Sequence, residues 1–248
     1  MKAYIRLVGI SMLLLLGACT THYHLTGTNY YGYQIYKGLH NSESAEKLIT
    51  PYRDSLTNKM NTVIGTSDTI LIKEQPEGTL GNFCADAFRE IAASVAAKSI
   101  DVCIMNAGGL RVPSLPKGNI TVGNIYELLP FDNQLVVMEI SGIDLMTICN
   151  KIAKRGGWPV SGLRMKIHNG QAIDVTINGQ LLNPNSNYVI ATNDYIANGG
   201  DDMDMLKNYQ QQTFNILLRE ALVEYIRSLN SMQKSIYAKK DQRIINEP

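Results

Sequence analysis

The spacing of hydrophobic positions changes period several times along this chain, and each change predicts an element. Leu80, Phe83, Ala87, Ile91 and Val95 recur at helical steps, which places them on one face of an α-helix. Ser141-Gly142-Ile143-Asp144 has the spacing of a capped helix start and predicts a helix to about Lys154. Phe214, Leu217, Leu218, Ala221, Leu222, Tyr225 and Ile226 mark a last helix. Elsewhere the period is two. Leu163, Met165 and Ile167 alternate with Arg164, Lys166 and His168, and Ile173, Val175 and Ile177 alternate back. Between them Asn169-Gly170 tolerates the positive φ of a tight hairpin turn. Gln134 to Ile140 is almost continuously apolar and predicts a strand buried on both faces. Asn61 to Lys73 predicts one or two strands, Asp101–Met105 and Tyr188–Thr192 one each, and Val122–Leu128 a short helix. Helices and strands are intermixed and antiparallel pairs are present. The expectation is α+β: a single domain with a mixed sheet and flanking helices.

The front of the chain has another pattern. Lys2 and Arg6 precede the apolar run Leu7–Leu16, and Leu16-Gly17-Ala18-Cys19 closes it. A basic start, an apolar stretch of about 10 residues and a small-residue cut site read as a secretory signal. A spanning helix needs about 20 apolar residues. A cysteine in the last slot is the bacterial lipobox pattern, which predicts lipidation of Cys19 and anchoring to a membrane, facing the periplasm of a Gram-negative cell. The expected organisation is a signal segment over residues 1–19, a tether over 20–61, a body over 62–229 and a frayed tail over 230–248. A short helix from Ser44 to Asn58 is compatible with the tether.

Composition narrows the function classes. The net charge is +1, so no electrostatic surface for long nucleic acid is indicated. Besides Cys19 there are three cysteines, an odd number that excludes a full disulfide framework. Cys84 and Cys149 fall on helical stripes and Cys103 on a strand, so they read as small buried hydrophobes.

Candidate chemistry lies in loops next to strands. Asn106-Ala107-Gly108-Gly109-Leu110-Arg111 follows a strand. Its glycines, Gly108 and Gly109, let the backbone approach a ligand. Asn106 can both donate and accept, and Arg111 offers a planar fork suited to phosphate. Leu129-Pro130-Phe131 holds an aromatic face at a rigid turn. Asp194 to Asp201 places a second aromatic, Tyr195, before the carboxylate of Asp201, with two glycines between. Two rings can clamp a base, and a carboxylate beside them can accept hydrogen bonds from ribose hydroxyls.

In this order the pieces resemble the C-terminal, substrate-binding domain of the 5'-nucleotidase and UDP-sugar hydrolase family. The resemblance is carried by Thr79-Leu80-Gly81-Asn82 with Ala85-Asp86-Ala87, by Asn106 to Arg111, and by Ile120-Thr121-Val122-Gly123. Leu129-Pro130-Phe131-Asp132-Asn133, Val160-Ser161-Gly162-Leu163-Arg164 and Ala191 to Asp201 complete it. It implies that Phe131 and Tyr195 sandwich a base, Asn106 reads it, Asp201 holds the ribose and Arg111 contacts phosphate. Tyr195 stands where the family usually has Phe. Where the family usually has a further phosphate-binding Arg, this chain has Glu74, with Lys73 beside it.

Full enzymes of that family also carry an N-terminal domain with two divalent metals. A two-metal site needs several close His and carboxylate ligands. The histidines here are His22, His24, His40 and His168, the first three in the tether. Asp201, Asp202 and Asp204 lack the glycine and terminal Glu of a calcium loop. Ser114-Leu115-Pro116-Lys117 fits a Ser-x-x-Lys pattern, but its prolines oppose the helix that motif needs. The expectation is therefore no metal or cofactor in this chain. One reading is the substrate half of a split nucleotidase in nucleotide catabolism, with divalent metals on a separate metallophosphatase chain. A second is a stand-alone nucleoside- or nucleotide-binding lipoprotein, and a third is a purely structural domain.

Overall fold

The structure, a computed structural model, describes residues 27, 28, 30–33 and 42–247. Cys19, His22, His24 and His40 lie outside the described residues. Two units are distinguished, Met1–Leu48 and Ile49–Pro248. In the first, Tyr30, Tyr31 and Tyr33 are exposed. The first helix, α1 (Glu43–Met60), contains no buried residue. No described helix is long and apolar enough to cross a membrane.

The second unit is built on a five-stranded sheet. Its strands are β3 (Val102–Ile104), β6 (Gln134–Ser141), β7 (Val160–Ser161), β11 (Asn187–Asn193) and β12 (Gln212–Leu217). Their order across the sheet is β12-β6-β11-β3-β7. β11 runs antiparallel to β6, from Asn187 opposite Ser141 to Asn193 opposite Leu135, and parallel to β3. The sheet is mixed, as the intermixed pattern predicts.

β6 separates two cores. Leu135 and Val137 enter one, with Leu80, Phe88, Ile125 and Leu222. Val136, Met138 and Ile140 enter the other, with Leu145, Ile152, Met165 and Val175. That is why its sequence is apolar without alternation. The first core is covered by α2 (Thr79–Ala96), α3 (Val122–Leu128) and α6 (Leu218–Ser231). The short pairs β1 (Val63–Ser67) with β5 (Gly118–Thr121), and β2 (Leu71–Ile72) with β4 (Ser114–Leu115), join them. Ser114 thus lies on a strand and not on a catalytic helix.

The second core is covered by α4 (Gly142–Lys154), capped by the Ser141 hydroxyl accepting from the Asp144 N–H at 3.1 Å. A second, four-stranded sheet faces it. In that sheet β8 (Leu163–His168) and β9 (Gln171–Ile177) turn at Asn169 and Gly170, both at positive φ. Asn178-Gly179 forms a second turn with positive φ that leads into β10 (Gln180–Leu181). Cys84, Cys103 and Cys149 are buried and free. Burial pushes the Cys84 and Cys149 thiols up to about 12 and that of Cys103 higher still, so they stay protonated.

Two expectations fail. Phe214 and Leu217 belong to β12, and the last helix begins at Leu218. The open edge of β6 recruits this segment into backbone pairing, with a bulge where Asn215 takes positive φ. The tail does not fray at Asn230 either. Ile236 and Ile244 are buried, and β13 (Ile244–Asn246) completes the second sheet by pairing in parallel with β8. Arg243 anchors it. Its guanidinium makes two 2.7 Å bonds to the Asp86 carboxylate and one of 2.8 Å to Asp241. Burial alone would raise the Asp241 pKa, but hydrogen bonds and charge from Arg243 and Arg164 hold it below the usual aspartate value.

Replacing Arg243 by Leu removes the cation between two carboxylates. It is expected to cost about 2 kcal/mol in urea unfolding, less than a fully buried pair because Asp86 is partly exposed. The Asp241 contribution is present above the ordinary value of 3.8 and is lost as pH falls through the lowered one. Wild type should therefore lose more stability below that pH than the variant does.

Candidate functional site

Strand directions bring four loops to one place. β3 and β11 are parallel, so both end at the same edge of the sheet. β6 and β7 run antiparallel to them, with Leu135 opposite Asn193 and Val160 opposite Ile104, so both begin at that edge. The loops after β3 and β11 and before β6 and β7 therefore converge. Crevices at the carboxyl ends of parallel strands are where ligands commonly bind.

A chain of buried amides ties two of these loops together. Asn193, fully buried at the end of β11, caps α5 (Asp194–Ala197) by accepting from the Ile196 N–H at 2.8 Å. Its Nδ2 donates to Asn106 Oδ1 at 3.0 Å, and Asn106 Nδ2 donates to Asp201 Oδ2 at 3.2 Å. Asn106 keeps one free N–H and further acceptor capacity on Oδ1. A 3-10 turn, Ala107–Gly109, follows it. A Cβ on Gly109 would lie 2.9 Å from Asn106 Oδ1, so a side chain there would push against the amide.

The loop after α5 is strained. Asp201 and Asp202 are consecutive non-glycine residues at φ 53° and 62°, at about 1 kcal/mol each. A Cβ on Gly200 would lie 2.5 Å from the Tyr195 ring, so the loop folds against that ring. The Tyr195 hydroxyl donates to Asp201 Oδ1 at 3.5 Å, a contact that a phenylalanine cannot make. Arg155 Nη2 meets Asp202 Oδ2 at 2.6 Å and Lys151 Nζ donates to the Asp202 carbonyl at 2.8 Å.

The loops enclose a cavity of about 530 Å³. Asn106, Gly108, Gly109, Arg111, Phe131, Tyr195 and Asp201 line it, so the structure brings together every residue singled out for ligand binding. It adds Gln75, Asn133, Arg155 and Trp158. Phe131 and Tyr195 keep 48% and 47% of their surface exposed. The Arg111 guanidinium lies 5.6 Å from the centre of the Phe131 ring, a cation–π contact. Arg219 of α6 fixes the turn that carries Phe131. It donates to the Phe131 carbonyl at 3.1 Å, pairs with Asp132 at 2.5 Å and lies over the Tyr126 ring. No periodicity distinguishes Arg219, Arg155 or Gln75 from other surface polar residues.

An adjoining hollow of about 490 Å³ shares Gln75, Gly108 and Arg111 with the cavity and adds Lys73 and Glu74. Glu74 is paired with Lys240. Lys73 donates to the Leu110 carbonyl at 2.7 Å. Partial burial, and then the nearby Arg111 charge, lower its pKa. Two cations held close together in this way are suited to an oxyanion. Among the described residues no group of three or more His, Cys, Asp or Glu is arranged to hold a metal. His168 sits at the end of β8 beside Asn169.

Residues 63–208, more than half of the chain, match the family described as 5'-nucleotidase, C-terminal domain. The chain belongs to that family. Among curated relatives, it is 27% identical over 230 residues to an apyrase of Anopheles gambiae, covering 84% of this chain and 40% of that protein. It is 29% identical over 160 residues to protein UshA of Yersinia enterocolitica, covering 61% of this chain and 28% of that one. Among solved structures, a 5'-nucleotidase precursor of Thermus thermophilus superposes with a TM-score of 0.70 at 28% identity, over 83% of this chain and 44% of that one. The chain thus spans less than half the length of each.

The amide chain can be tested without a ligand. Gly109→Ala is expected to push against Asn106, which two hydrogen bonds hold in place, and to cost about 1–2 kcal/mol in denaturant unfolding. A change below 0.5 kcal/mol (roughly the scatter of surface substitutions) would show that Asn106 is free to move.

Proposed function

We propose that this domain binds a nucleoside or nucleotide, with the base between Phe131 and Tyr195, the ribose on Asp201 and the phosphate towards Arg111 and Lys73. The observation that carries this reading is two half-exposed aromatic rings lining one cavity of about 530 Å³ with Asn106 and Asp201. That volume is within the range of small-ligand sites. The adjoining hollow supplies the cations at the phosphate end. The Lys240 pair supports a role for Lys73 by offsetting the carboxylate of Glu74.

In this reading the domain is the substrate half of a split 5'-nucleotidase-type hydrolase. A separate metallophosphatase chain supplies two divalent metals and cleaves the phosphate ester. Lipid on Cys19 places this half on the periplasmic side of a membrane, where a partner on the same surface has a raised effective concentration. Family membership supports the nucleotide ligand.

Calorimetric titration of the full chain with adenosine and AMP, alongside a phosphate-release assay with added divalent metal, tests the reading. Binding without release is expected. Release that survives repurification and is lost in Asn106 and Asp201 variants would instead place catalysis in this chain, and binding of neither ligand would remove the nucleotide reading. Phe131→Ala and Tyr195→Ala should each weaken adenosine binding by about 1–3 kcal/mol. Unchanged affinity in a folded variant would rule out the clamp. Arg111→Ala should cost AMP affinity more than adenosine affinity, and equal losses would show that it does not contact phosphate.

A further inference from the structure

Asp201 is followed by Asp202, which two cations outside its own loop contact. The loop crosses Asp201 and Asp202 at positive φ, a conformation that costs residues other than glycine some strain. On the cavity side, the bonds to Asp201 from Asn106 and Tyr195 are long, at 3.2 and 3.5 Å. The contacts to Asp202 are shorter, although its side chain is largely exposed. Arg155 reaches Asp202 Oδ2 at 2.6 Å, and Lys151 reaches the Asp202 carbonyl at 2.8 Å. Both cations lie in the last turn of α4 or at its end, where helix carbonyls favour positive charge. The Arg155 backbone is tied down in turn, because Gln75 Nε2 donates to its carbonyl at 3.0 Å and to that of Gly157 at 2.8 Å.

We propose that Arg155 and Lys151 are positioning residues for ribose recognition: by clamping Asp202 they hold the neighbouring Asp201 carboxylate towards the sugar hydroxyls. The inference rests on the nucleoside reading above. It assigns the Asp202 contacts at the end of α4 to sugar specificity. A carboxylate held in place discriminates strongly between a sugar with hydroxyls and one without. One that swings with its loop discriminates little, although the base still stacks.

The test compares the affinities of adenosine, 2′,3′-dideoxyadenosine and AMP for the full chain. Wild type should prefer adenosine to the dideoxy compound by about tenfold or more. Arg155→Gln and Asp202→Asn should each bring that ratio close to one, mainly by weakening adenosine, and in Asp202→Asn the AMP-to-adenosine ratio stays at its wild-type value. The double variant should lose no more than either single one. Arg155→Lys should restore part of the ratio, because it restores the charge. Wild-type discrimination that persists in both single variants would overturn the clamp alone. A loss confined to AMP would make Arg155 a phosphate contact and overturn the proposal. Absence of discrimination in wild type would overturn the ribose role of Asp201, and the clamp with it.

Discussion

The cavity depends on one buried amide being satisfied from both ends. Asn106 accepts from Asn193 and donates to Asp201, and Asn193 itself caps the helix that carries Tyr195. A buried amide without partners would cost several kcal/mol, so the three side chains settle together. The result joins the loop after β3 to the loop after β11 before any ligand arrives. Such preorganisation lowers the entropy lost on binding. It also limits what Asn106 can do. One donor and spare acceptor capacity remain on a side chain that cannot rotate to offer anything else.

The mixed sheet makes this arrangement possible. Parallel pairing of β3 with β11, flanked by antiparallel β6 and β7, is what brings two strand ends and two strand starts to one edge. Both faces of β6 are buried, so its register against β11 cannot slip without moving apolar side chains into the wrong core. The position of Phe131, shortly before Leu135, follows from that register and from Arg219. Arginines recur as the fasteners of the outer structure: Arg219 at the clamp turn, Arg155 at the Asp202 loop and Arg243 at the last strand. In each case a planar guanidinium meets a carboxylate carried by a different element.

Elements with local chemistry were legible in the sequence. The Asn169-Gly170 turn, the capped start of α4 and the apolar run of β6 each have their cause within a few residues. So do the candidate ligand residues, because glycine, proline and aromatic residues at loop positions stand out from their neighbours. Illegible elements have distant causes. Phe214 and Leu217 continue a helical stripe on paper, but the free edge of β6 draws them into a strand. Ile236 and Ile244 fall in short apolar stretches without a period, and the strand that receives Ile244 lies about 80 residues earlier. Trp158 and Arg155 enter the cavity because β7 is antiparallel to β3, a relation that no short window contains.

The last strand also bears on how the molecule is made. A chain synthesised from its N-terminus produces β8 and β9 well before residues 244–246. Until then β8 has a bare edge, and the carboxylate of Asp86 lacks Arg243. Long-range pairings of this kind form late, because the intervening loop must close first. The finished domain is therefore locked from its C-terminal end. A chain that lacked residues 244–246 would expose an unpaired edge of β8, a surface on which other unfinished chains can dock and aggregate.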